Sequence, residues 1–146
     1  PGERNKIATS SGQMDEMWRR GELLVINELY GGIHYGTPRL PIAEALASGN
    51  FPVLDWPIDR LEVMMQAFPD RLFTVYVSPP SIDVLRQRLA KDGRDADGSR
   101  MKNAMEELQR FWSARYAGAY DYEIISEDGR VAEIAETIYS NYLKSF

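Results

Sequence analysis

Arg88 and Arg100 are the residues best suited to chemistry on an anion. Each guanidinium is a planar fork of donors that matches phosphate oxygens, and the two flank a polar, glycine-rich stretch over 92–99. Closure of that stretch would bring both side chains onto one group. Phosphoryl transfer asks a protein mainly for position and neutralising charge, so hydroxyl donors and a carboxylate complete the set. Tyr35 and Thr37 can donate to a phosphate, and Gly36 between them lets backbone approach closely. Asp55 closes the apolar run Phe51-Pro52-Val53-Leu54, where a carboxylate at a strand's C-terminal end is a site candidate. Plainer readings stand beside these: an arginine on a solvated helix face, or an aromatic strand end before the turn at Pro38.

Other motifs exclude more than they offer. His34 is the single histidine, has no second ligand nearby in the sequence, and reads as structural, so no metal site is expected on it. Gly31 to Gly36 and Gly93 to Gly98 both have the G-x-x-x-x-G interval. They continue Thr37-Pro38 and Ser99-Arg100, and neither supplies the Lys-Ser/Thr pair of a phosphate loop.

The elements that must carry these residues follow from spacing. Ser10-Ser11-Gly12 opens a short helix through Arg20, since a serine hydroxyl satisfies free N–H groups at a helix start. Leu23 to Leu29 and Ile33 to Thr37 read as a hairpin turned at Gly31-Gly32. A helix over 41–48 stops at Gly49-Asn50, and a strand over 51–54 leads to Asp55. Then come a helix over 58–67, a buried strand over 72–77, a helix over 82–91, the loop over 92–99, a helix over 99–116, a strand over 122–125 and a closing helix over 130–143. A hairpin followed by alternating strands and helices predicts an α/β fold with a parallel core sheet flanked by helices.

With 146 residues, 44% of them hydrophobic, the chain is long enough to bury a core and fits one domain better than two. A net charge of -5 argues against a nucleic acid polymer as partner, because phosphate backbones are held by clustered Lys and Arg. Cysteine is absent, which removes disulfides, thiolate zinc sites and thiol nucleophiles and makes a reducing, cytoplasmic setting the easiest reading. No apolar run approaches the roughly 20 residues of a membrane span, so no membrane partner is expected. The chain opens at Pro1 instead of Met, which reads as a segment of a longer polypeptide or a processed start. Trp18, Trp56 and Trp112 could serve a core or a homodimer interface.

In this order the residues resemble the guanylate kinase family along nearly the whole chain. Pro1-Gly2-Glu3 is similar to the Pro-Gly-Glu before the family's GMP-binding subdomain, and Gly21-Glu22-Leu23-Leu24 to its Gly-Glu-Phe-Leu. Tyr35-Gly36-Thr37 matches the Tyr-Gly-Thr that touches the GMP phosphate. Ser78-Pro79-Pro80-Ser81 with Leu85 and Arg88-Leu89 matches the series leading to the lid. Arg100-Met101, Ala104 and Glu107 keep the spacing of the helix beyond it, and Tyr120-Asp121-Tyr122 resembles the opening of the last core strand.

The resemblance implies one domain over 1–146, with a monophosphate-binding subdomain over 1–37 and a phosphate-loop-kinase-like core over 38–146 whose lid lies near 92–99. It implies ATP-dependent phosphoryl transfer to a GMP-type nucleotide, with the phosphate loop upstream of residue 1 and with ATP and Mg2+ as cofactors if the intact protein carries that loop. Arg88, Arg94 and Arg100 would clamp the transferring group, Asp55 would assist magnesium or substrate positioning, and Tyr35, Gly36 and Thr37 would hold the acceptor. Val25 falls where the family carries the guanine-reading Glu, and valine cannot accept the base's N–H groups; Asn27 or Glu28 would substitute. Pro57 replaces a second Asp, Asp92 reverses the charge of a lid arginine, the segment after Glu3 lacks the usual phosphate-binding Tyr, and Ser126-Glu127 stands for Asn-Asp. These departures imply a second class: a guanylate-kinase-like domain without catalysis that binds a phosphorylated partner or nucleotide.

Overall fold

The computed structural model describes residues 7–29, 33–93, 95–111 and 118–146. The chain forms two compact units, Pro1–Asp70 and Arg71–Phe146.

In the first unit, α1 (Ser11–Arg19) begins with a capping box: the Gln13 N–H donates to Ser10 Oγ at 3.3 Å, and the Ser10 N–H donates to Gln13 Oε1 at 3.1 Å. β1 (Leu23–Leu29) pairs antiparallel with β2 (Ile33–Pro38). The expected turn at Gly31-Gly32 lies outside the described residues. α2 (Arg39–Ala47) follows β2 directly, two residues before the predicted start, and the Arg39 N–H donates to the Glu22 carbonyl at 2.9 Å. A 3-10 turn (Ile58–Arg60) leads into α3 (Leu61–Ala67), so the predicted single helix over 58–67 is two pieces. Leu23, Leu24, Val25, Ile42, Met64 and Phe68 are the buried core of this unit, and the Arg39 guanidinium lies 5.9 Å from the Phe68 ring centroid.

The predicted strand over 51–54 is absent. Those residues have no regular structure, and Val53 is 90% exposed. A strand is stabilised by a neighbouring ladder and a covered face, and this run has neither among the described residues.

In the second unit, β3 (Val75–Ser78) pairs in parallel with β4 (Tyr122–Ile125). α4 (Ile82–Asp92) starts on Ser81, whose Oγ accepts from the Val84 N–H at 3.2 Å, and stops at Gly93, whose φ of +63° is inexpensive only for glycine. α5 (Ser99–Phe111) and α6 (Val131–Ser145) complete it. The last residues predicted for α5, 112–116, lie outside the described residues. Rings supply much of the packing: Phe111 stacks on Tyr76 at 3.7 Å between centroids and on Tyr120 at 5.0 Å, while Tyr142 meets Phe73 and Phe146.

Candidate nucleotide and phosphate site

The hairpin sorts the acceptor-side candidates by face. Residues directly opposite on an antiparallel ladder project to the same side, and Asn27 pairs with Tyr35 while Val25 pairs with Thr37. Asn27, Tyr35 and Thr37 therefore share one face, with Val25 buried at 4% exposure beside them. Glu28 pairs with His34 on the opposite face, where both are exposed. The two residues expected to stand in for a base-reading acid are thus separated, and Asn27 alone joins the tyrosine and threonine. Gly36 meets a neighbour from its own sheet: a Cβ there would lie 2.9 Å from Leu23 Cδ1, and Leu23 is buried. The small residue fits the packing of β1 on β2.

Asp55 is exposed at the end of the irregular run. The next residues are structural: the Trp56 indole donates to the Arg60 carbonyl at 2.9 Å, and Pro57 caps the 3-10 turn with its fixed φ. Pro57 therefore shapes the backbone where the family resemblance led one to expect a carboxylate. Among the described residues no group of three or more His, Cys, Asp or Glu side chains is arranged to hold a metal. Magnesium usually keeps several waters and takes one or two carboxylates besides substrate phosphates, so a lone Asp55 fits as a single ligand.

The arginine side lies in the second unit. Arg88, in the middle of α4, donates from Nε and Nη2 to Asp128 Oδ1 at 3.0 and 2.7 Å, and from Nη2 to the Ser126 carbonyl at 2.6 Å. Arg100 occupies the first turn of α5 and is half-buried. Arg94 lies outside the described residues.

Asp95 and Asp97, ahead of α5, are tied to its first turn. Asp95 Oδ1 accepts from the Arg100 N–H at 2.7 Å and Asp95 Oδ2 from the Met101 N–H at 3.2 Å, which satisfies donors that a helix start leaves open. Asp97 accepts from the Ser99 hydroxyl at 2.7 Å and the Ser99 N–H at 3.1 Å, and those bonds hold its carboxyl below the ordinary carboxylate range. Sequence reasoning singled out neither Asp95 nor Asp128. For Asp95 a signal existed, an acid just ahead of a helical pattern; Asp128 is 40 residues from the arginine it holds and left none.

The chain has an α/β fold of the guanylate kinase type. It superposes on the crystal structure of guanylate kinase from Anaplasma phagocytophilum with a TM-score of 0.68 at 24% identity, covering 99% of this chain and 66% of that one.

Sequence relatives narrow the class. The chain is 35% identical over 120 residues to a guanylate kinase of Carboxydothermus hydrogenoformans, covering 80% of this chain and 54% of the relative. It is 39% identical over 113 residues to that of Gluconobacter oxydans, with 74% and 50% covered. It is 35% identical over 133 residues to that of Symbiobacterium thermophilum, with 88% and 60% covered. No family model matches. Over the stretch it shares with these relatives the chain is similar to guanylate kinases, and it spans about half of their length.

Proposed function

We propose that this chain carries the acceptor and lid regions of a cytoplasmic nucleoside monophosphate kinase that uses ATP and Mg2+ on a GMP-type substrate, with the phosphate loop supplied upstream of residue 1. The observation that carries the reading is the shared hairpin face of Tyr35, Thr37 and Asn27, two hydroxyls and an amide side by side. Tyr35 and Thr37 donate to the acceptor phosphate, and the Asn27 amide offers both a donor and an acceptor to the base. Arg88, Arg94 and Arg100 clamp the transferring group, Asp55 contributes one ligand to magnesium, and residues 92–99 act as the lid. ATP, when bound, supplies the phosphoryl group; the chain's own residues orient it and neutralise its charge.

The buried Val25 on the same face favours a second reading, in which this face of the hairpin binds a phosphorylated partner or nucleotide without catalysis. No described helix is long and apolar enough to cross a membrane. A coupled assay of ADP release by the intact protein with GMP, dGMP, AMP, UMP and CMP decides between them. Turnover with GMP or dGMP is expected. Turnover only with another base retains the kinase and moves its substrate, while no turnover with any of them, alongside phosphopeptide or nucleotide binding, sinks the kinase reading.

A further inference from the structure

The chain just beyond β4 grips the Arg88 guanidinium by one edge. Asp128 Oδ1 takes the Nε hydrogen and one Nη2 hydrogen, and the Ser126 carbonyl takes the other Nη2 hydrogen. The two hydrogens on Nη1 have no acceptor among the described residues. The arginine side chain is 30% exposed and that of Asp128 83%. Ion pairs with so exposed a partner add little to folding stability, so the effect of the contact lies in orientation. The carboxylate and carbonyl come from a short segment fixed by the parallel ladder, where the Ser126 N–H donates to the Ser78 carbonyl at 2.8 Å.

We propose that Asp128, with the Ser126 carbonyl, is a positioning residue that locks Arg88 so that its Nη1 edge is presented to a phosphate. The inference rests on the kinase reading for the identity of the phosphate, and its physical content is pre-organisation. A guanidinium already fixed in its plane loses less rotamer freedom when it binds an anion. The sign of the effect separates this role from a competing one. A carboxylate that merely neutralised Arg88 would weaken phosphate binding, and its removal would tighten it; a positioning carboxylate does the reverse.

Calorimetry with inorganic tripolyphosphate on the intact protein, comparing wild type with R88A, D128A and D128N, measures that sign. R88A and D128A are each expected to weaken binding about tenfold, the scale of a charge-assisted hydrogen bond. D128N keeps an amide oxygen that can accept the same two bonds and is expected to fall between wild type and D128A. In the kinase assay D128A lowers kcat about tenfold with KM for GMP within about twofold, because the lost orientation is felt at the transferring group. The thermal midpoint of D128A stays within a few degrees of wild type. Unchanged or tighter tripolyphosphate binding by D128A, unchanged binding by R88A, or a D128N no better than D128A overturns the proposal. A wild-type protein with no turnover on any monophosphate defeats the kinase reading alone, since the affinity comparison still decides the role of Asp128.

Discussion

Thr74 and Asp121 hold each other at the start of the β3–β4 pair through reciprocal bonds. Asp121 Oδ2 accepts from the Thr74 N–H at 2.7 Å and from the Thr74 hydroxyl at 2.9 Å, while the Asp121 N–H lies 2.9 Å from both Thr74 Oγ1 and the Thr74 carbonyl. The clamp sets the register in which Val75 opposes Tyr122, and with it the place where β4 ends and Ser126 and Asp128 reach Arg88. T74V and D121A are each expected to cost about 1.5 kcal/mol in urea unfolding. The double variant should cost little more than the larger single one, because the two changes remove a shared interaction. Fully additive losses would show that the residues act independently.

The close approach of Gly36 to Leu23 gives a second test. G36A should lose about 2 kcal/mol, since a Cβ 2.9 Å from a buried leucine methyl forces the sheet to shift. Adding L23V, which shortens that side chain, should recover part of the loss. A G36A protein of unchanged stability that no longer binds nucleotide would instead assign the glycine to ligand approach.

The two faces of the hairpin should respond differently to substitution. Y35F, T37V and N27A are each expected to raise KM for the monophosphate about five- to tenfold, the scale of one lost hydrogen bond. E28A and H34A, on the other face, should leave KM within about twofold. Equal effects from both faces in steady-state kinetics would remove the hairpin face from the site.

Tyr76 should make the fold sensitive to alkali. Burial against Phe111, and secondarily the charges of Glu107, Glu123 and Tyr120, raise its pKa above 10.0. A phenol whose folded pKa is raised contributes stability that is complete below its unfolded pKa and is lost as pH climbs through the folded one. The wild type should therefore lose stability above about pH 10 more steeply than Y76F, which has no proton to release. Parallel stability curves for the two proteins between about pH 9 and 11.5 would contradict the assignment.

Much of the fold was legible in the residues because its signals are local. The capped start of α1, the glycine stop after α2 and the alternation of strand and helix each depend on groups a few positions apart. The family motifs likewise followed from residue order, and the relatives bear that resemblance out. Where the outcome depended on a distant partner, the sequence was silent or misleading. The apolar run before Asp55 reads as a strand from its own composition but forms none, because a strand needs a ladder that its residues cannot specify alone. Asn27 and Glu28 are adjacent in sequence and look interchangeable as base readers, yet the pleat sends them to opposite faces and the pairing register decides which one joins Tyr35. Arg88 stands out as a candidate phosphate ligand by type and spacing. Only the parallel pairing of β3 with β4 brings Asp128 beneath it, because a register between segments some 45 residues apart is fixed by packing and ladder bonds and not by either segment's composition.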